Sequence, residues 1–223
     1  MSDLLPLFPL PNVVLFPGVS LPLHVFEPRY REMVADALDG DRLIGMVLLR
    51  PGWEGAYDGR PPIYALGCSG LMTHAEQLAD GRYNIVLRGI DRFRVVEEDH
   101  GQNYRRAVID VRSESQPTPL DLERLQRCRG KLESLLAPAL DRAGARSAGS
   151  AATETTNVYA RAASSLSDTD LVNALAQYLN LEPLEKLALL ERDGIAERAA
   201  GLVELLEMKI ITARTPAVSN AFH

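Results

Sequence analysis

Cysteine is nearly absent from this 223-residue chain: Cys68 and Cys128 lie sixty positions apart, and no CxxC pair occurs. That excludes a disulfide framework and a zinc knuckle, and reduced thiols fit a cytosolic protein. Long apolar runs are missing too. None reaches the eighteen or so residues of a membrane span, and the opening MSDLL carries an acid where a signal peptide needs positive charge. Lysine is confined to Lys131, Lys186 and Lys209. The 24 basic residues face 30 acidic ones for a net charge of −6, which argues against bulk attraction to nucleic acid or an anionic membrane.

Motifs that carry chemistry are equally sparse. A phosphate-binding loop needs G-x-x-x-x-G-K-[ST], whose amides and lysine hold the phosphates; Gly130-Lys131 is followed by Leu132, and position 125 is Leu. No HExxH occurs, and His24, His74, His100 and His223 lack metal-ligand spacing. Gly67-Cys68-Ser69-Gly70 with His74 nearby offers a thiol and a base, but a buried cysteine in a strand accounts for it better. The run Glu97-Glu98-Asp99 reads as a solvated hairpin tip rather than as paired catalytic carboxylates. The expectation is a protein without catalytic residues, cofactor or metal.

What is present is proline in an apolar setting. Leu5 to Tyr30, LPLFPLPNVVLFPGVSLPLHVFEPRY, holds six prolines. Proline is tolerated at strand starts, edges and turns but not at the centre of a paired strand, so this segment should form short, kinked strands. Phe16-Pro17-Gly18-Val19 suits a type II turn, with glycine supplying the positive φ. Val19, Leu21, Leu23 and Val25 then alternate with Ser20, Pro22, His24 and Phe26, as in a strand with two differently used faces.

Further strands are expected at 43–49, 63–73, 83–88, 93–96 and 104–111, separated by Asp80-Gly81, Gly89 and His100-Gly101. One helix should open at Pro28 and end at Gly40. After about residue 116 the pattern turns helical. Thr118 and Ser167 each stand three residues before an acid, the spacing of a capping box. Leu122, Leu125, Cys128, Leu132, Leu135, Leu136 and Leu140 form one stripe, and further helices are expected to start near Asp168, at Pro183 and near Gly194. A loop is expected over 142–156. The boundaries read as a β-rich part over 1–116, an α-helical part over 117–215 and a disordered tail over 216–223.

The proline-rich opening resembles that of the amino-terminal, substrate-binding domain of Lon-type ATP-dependent proteases, where a "PL.P" strand and "V.FPG...PL" precede a helix beginning near "RY". YNIVLRGIDRFRVV, at 83–96, looks like the family's "G..R..I" strand pair. LLERDGIAERAAGLVELL, at 189–206, is similar to the helical region before the ATPase module. The resemblance implies an α+β chain: a PUA-like β pseudobarrel with one helix, followed by an α-helical bundle. It also implies recognition of polypeptides without the motor or the Ser and Lys pair of the peptidase, which belong to other parts of the family's longer chains.

Two surfaces are candidates for binding. For unfolded or exposed apolar polypeptide, with a protease or chaperone as a further partner, they are Leu21, Leu23 and Phe26 on a proline-kinked edge, and Trp53 and Tyr57 on the loop RPGWEGAYDGRPP. The alternative, a nucleic-acid-binding protein, would use Arg88, Arg92, Arg94, Arg105 and Arg106, because PUA-like folds of other families often bind RNA. Against it, residues 1–115 hold 12 basic and 16 acidic side chains. Cross-strand pairing with Asp91, Glu97 and Asp110 is the better account of these arginines.

Overall fold

The computed structural model describes residues 4–56, 59–114, 116–146 and 166–214. It is a mixed α+β chain. Six strands run β1 (Leu5–Leu10), β2 (Ser20–Val25), β3 (Leu43–Leu49), β4 (Ile63–Gln77), β5 (Tyr83–Asp99) and β6 (Arg105–Arg112). The helices are α1 (Pro28–Asp39), α2 (Pro119–Arg146), α3 (Asp168–Tyr178), α4 (Pro183–Glu191) and α5 (Ile195–Arg214), with one 3-10 turn at Trp53–Ala56. The described residues divide into two compact units, one within Met1–Ser115 and Asn173–Glu191, the other within Gln116–Val172 and Arg192–His223.

In the first unit the strand order is β2-β5-β4-β3-β1-β6, and β6 also pairs with β5, so five of the six strands close into a ring with β2 outside it. Closure rests on the length of β5. Its first half, Tyr83 to Arg88, lies against β2, and Arg92 to Asp99 lies against β6. The expected break at Gly89 is not a turn, because 83–88 and 93–96 belong to one strand. Gly89 is there for close approach: a Cβ on it would stand 2.1 Å from the carbonyl oxygen of Phe16. The Gly89 amide donates to Val19 O at 2.9 Å, and Gly18 N–H donates to Gly89 O at 2.9 Å.

The prolines of β1 fit the same scheme. This strand pairs antiparallel with β6 over Leu5 to Leu7 and parallel with β3 over Leu7 to Leu10. Pro6 therefore has a partner strand only on the β6 side and Pro9 only on the β3 side, so each missing N–H faces the open side. Leu7 alone is flanked on both sides. The turn at Phe16 forms as expected, with Gly18 at φ 75° and Val19 N–H donating to Phe16 O at 3.3 Å.

Leu5, Leu7, Val47, Phe93 and Ala107 make one core cluster of the ring. The Phe93 ring lies where a Cβ on Gly45 or Gly67 would be, 2.8 and 2.7 Å from Cζ. Tyr30, Met33, Val34 and Ala37 bury one face of α1, at the helical spacing the sequence shows, and Tyr30 meets Phe8 with ring centroids 4.5 Å apart.

Residues 173–191 pack with the strands rather than with the later helices, whereas the sequence reading divides the chain once, at 116/117. The cause is polar. Asn173 and Gln177, one helical turn apart and only 2% and 7% exposed, answer buried backbone groups of the Phe16 turn. Gln177 Oε1 accepts from Phe16 N–H at 3.1 Å, and Asn173 Nδ2 donates to Pro17 O at 3.0 Å.

The second unit is helical. Leu125 and Leu132 of α2 and Ala199, Leu202 and Val203 of α5 are buried. Arg124–Glu197 at 2.7 Å and Lys131–Glu207 at 2.9 Å pair the same two helices. Both expected caps form: Asp121 N–H donates to Thr118 Oγ1 at 3.2 Å, and Asp170 N–H to Ser167 Oγ at 3.1 Å. Leu122, placed in the apolar stripe by its spacing, is 46% exposed. Helix α2 covers 142–146, which the sequence reading gave to a loop; the rest of that loop and the expected tail at 216–223 lie outside the described residues.

Alanine at two glycines should act with opposite sign. Gly89→Ala forces a methyl against the Phe16 backbone and should destabilise by about 2 kcal/mol or more. Gly130→Ala, in a helix with nothing within 4 Å of the new Cβ, should stabilise by about 0.5–1 kcal/mol. Thermal melts of the two variants check this, and equal shifts would refute the Gly89 contact.

Candidate functional site

β2 lies outside the ring and has a neighbour on one side only, β5. Its alternation is as the sequence implies: Val19 and Val25 are buried, Leu21 and Leu23 half-buried, and Ser20, Pro22, His24 and Phe26 exposed. Across β2, β5 and β4, the pairs Pro22–Val86 and His24–Asn84 meet His74 and Glu76. There Pro22, Leu23, His24, His74, Asn84 and Val86 line an open groove of about 340 Å³. Phe26, 59% exposed, stands at its end with its ring centroid 6.3 Å from that of His24.

A polar chain holds this face in place. Arg82 Nη1 lies 3.4 Å from His24 Nε2, and a guanidinium has no lone pair, so Nε2 accepts. Nδ1 then carries the proton and donates to Asn84 Oδ1 at 2.8 Å, while Asn84 Nδ2 donates to Glu76 Oε2 at 3.2 Å. Hydrogen bonds from Arg82 pull the exposed Asp80 carboxyl down to about 2.

The outer edge of β2 offers little to an added strand. Gly89 exchanges its bonds with Gly18 and Val19, so by the alternation of an antiparallel ladder Leu21 and Leu23 turn their backbone groups to β5 and Ser20, Pro22 and His24 turn theirs outward. Of these, Pro22 has no N–H, and Ser20 O already accepts from Tyr178 Oη at 2.7 Å. The groove therefore favours seating side chains over extending the sheet.

Of the residues the sequence singles out for peptide binding, Leu23 lines the groove, Phe26 lies beside it against His24, and Leu21 is half-buried two positions before Leu23 on the same face of β2. Trp53 is half-buried in the 3-10 turn and is not among the groove's lining residues, and Tyr57 lies outside the described residues. His24, His74 and Asn84 are missed by sequence reasoning. The signal for them is the polar phase of the β2 alternation, read with the strand that pairs with it.

Four of the five arginines of the nucleic-acid reading take structural roles. Arg92, 5% exposed, donates from Nη1 to Leu190 O at 3.2 Å, where cationic charge suits the carboxyl end of α4. Arg94 pairs with Glu191 at 2.8 Å. Arg105 is buried and pairs with Glu98 at 3.0 Å, and Arg106 binds Asp99 through Nε at 3.0 Å. Arg88 is exposed. The acids that hold two of them are those of the supposed hairpin tip. Cys68 is fully buried and His74 exposed on the same strand. Six strand positions place them roughly 20 Å apart, too far for a thiol and its base. Among the described residues no group of His, Cys, Asp and Glu is placed to hold a metal ion, and no helix is long and apolar enough to cross a membrane.

Arg92→Met removes a buried charge and its bond to Leu190 O, and should cost about 3 kcal/mol and raise hydrogen exchange over 183–191. Arg88→Ala should stay within about 0.5 kcal/mol of the parent. Urea unfolding of both, with exchange mass spectrometry, checks the contrast.

Comparison with known proteins points one way. The model of the ATP-dependent protease La (LON) substrate-binding domain matches residues 4–208. The Lon protease of Flavobacterium johnsoniae is 26% identical over 210 residues, covering 92% of this chain and 24% of that protein. The Lon protease of Dictyoglomus thermophilum is 29% identical over 128 residues, covering 57% and 16%. The chain thus spans about a quarter or less of these curated relatives. Among solved structures, the N-terminal domain of Mycobacterium avium complex Lon protease superposes with a TM-score of 0.68 at 14% identity, covering 92% of this chain and 98% of that one. The Lon N-terminal domain protein from Xanthomonas campestris gives 0.54 at 24%, covering 96% and 99%.

Proposed function

The chain belongs to the ATP-dependent protease La (LON) substrate-binding domain family, and from that premise we propose that it binds unfolded or exposed apolar polypeptide without catalysing a reaction. The ring of strands with α1 is the PUA-like pseudobarrel of this reading, and the second unit is its helical bundle. The family model covers the substrate-binding domain and neither motor nor peptidase. In this reading the protein is a cytoplasmic adaptor that presents clients to a protease or chaperone.

The observation that carries the proposal is the groove of about 340 Å³ with Phe26, 59% exposed, at its end. An exposed aromatic beside an apolar groove is the arrangement that buries a client's side chain, at about 25 cal/mol per Å² of apolar surface. The polar edge of β2 is too poor in donors for strand addition to supply most of the affinity. Nucleic acid lacks comparable support, because four of the five arginines proposed for it are engaged by Glu191, Glu98, Asp99 or Leu190 O.

Binding of fluorescent unfolded casein, read by anisotropy, tests this. Phe26→Ala should weaken binding by about tenfold and leave the thermal midpoint unchanged, since an exposed side chain contributes little to stability. Affinity should change little between about 50 and 200 mM salt, whereas contacts to several phosphates would lose orders of magnitude. If Phe26→Ala binds as the parent does while Trp53→Ala with Tyr57→Ala does not, recognition lies on the 51–62 loop and the groove assignment fails.

A further inference from the structure

Nearly every arginine with a described partner in this chain faces a carboxylate: Arg29 faces Glu27, Arg82 Asp80, Arg105 Glu98 and Arg106 Asp99, for example. Arg60 does not. Its Nη1 donates to Asp99 O at 3.1 Å and to His100 Nδ1 at 2.7 Å, and its Nη2 donates to Gln102 O at 2.9 Å. All three acceptors are neutral, since His100 Nδ1 must hold a lone pair to accept from a guanidinium. That leaves Nε–H and one Nη2 hydrogen without a bond among the described residues, and Nε and Nη2 form the edge that grips a carboxylate with two parallel bonds.

Arg60 shares the wall of a small pocket with Arg29 and Arg105. Arg105 is buried, and the positive charge of Arg60 adds to burial in pulling its guanidinium below the ordinary range. Among the described residues no Asp or Glu lines the pocket; its other walls include Tyr30, Leu49 and Pro61. Glu27 and Glu98 offset Arg29 and Arg105, which leaves Arg60 without a carboxylate partner among the described residues, in a protein whose net charge is −6. The enclosed space is about 20 Å³, room for one water-sized group. A carboxylate therefore sits at the mouth rather than inside, its two oxygens on the Nε and Nη2 edge of Arg60.

We infer that this pocket binds a carboxylate on Arg60, and that its source is the carboxyl terminus of a client polypeptide. The choice of a chain end, and with it of a carboxylate over a phosphate, rests on the polypeptide-binding reading. The site is separate from the β2 groove, with which it shares no lining residue. A client held at both would present its end in a fixed direction.

The test is NMR of the full chain, following the Arg60 Nε–H resonance and the amides of 59–60 and 103–105. The probes are N-acetyl-Leu-Ala with a free carboxylate, its carboxamide twin, sodium acetate and sodium phosphate. The acid peptide should shift these resonances saturably and the carboxamide should not. Arg60→Met should weaken the acid peptide at least tenfold at an unchanged thermal midpoint. Arg60→Gln, which keeps a donor for the Gln102 carbonyl, serves if Met disturbs folding. Tighter binding of the peptide than of acetate identifies a chain end; equal binding identifies a free carboxylate and still upholds the site. Equal binding of the carboxamide, a response to phosphate alone, or no loss in either variant overturns it. Casein binding by the Phe26→Ala protein is measured in parallel, so that failure of the groove and failure of this pocket are read separately.

Discussion

A small closed sheet has no room for an unanswered backbone group, and this chain puts six prolines, none of which can donate, into the segment that helps to close it. Everything in the first unit is arranged around that constraint. β1 changes partner at Leu7, so Pro6 and Pro9 each lack a strand on one side. Pro17 sets the turn that brings the Phe16 carbonyl onto Gly89. Pro22 faces out from β2, where its missing donor leaves the edge unattractive to a further strand. Proline here specifies where pairing stops, and the shape of the exposed face follows from where it stops.

The arginines show a second ordering. Most of the paired guanidinium groups sit opposite carboxylates or at the carboxyl end of a helix, and in doing so they fix the ends of elements to one another: Arg92 and Arg94 hold α4, and Arg105 and Arg106 hold the β5–β6 hairpin. A charge-based reading of such residues as a binding surface fails because the same chemistry that attracts phosphate attracts Glu98, Asp99 and Glu191 first, at far higher effective concentration. What distinguishes a cation available to a ligand is neutral company, and that property appears only with coordinates.

Local features were legible in the sequence because local chemistry determines them. The Phe16 turn, the start of α1 at Pro28, the boxes at Thr118 and Ser167 and the alternation along β2 are each set by a few neighbouring residues. Gly89 was misread as a separator because a glycine required for close approach of a distant backbone looks, in sequence, like one required for a turn. The affiliation of 173–191 was hidden for the same kind of reason. Its leucines announce a helix without saying what covers it, and the informative residues, Asn173 and Gln177, are polar. Of the candidate site, Leu23 and Phe26 were accessible from periodicity, whereas the residues that complete the groove come from β4 and β5, fifty to sixty positions away.

The bond from Phe16 to Gln177 spans 161 positions, and it has a temporal meaning. At about 5–20 residues per second of synthesis, roughly ten to thirty seconds separate the emergence of the turn from that of the side chain that satisfies it. Through that interval the strands exist as a nascent, incompletely satisfied unit with its polar turn open to water. The fold therefore ripens late, only when α3 and α4 have left the ribosome. A truncated chain ending before Asn173 is, in this sense, not a smaller version of the protein but an unfinished one.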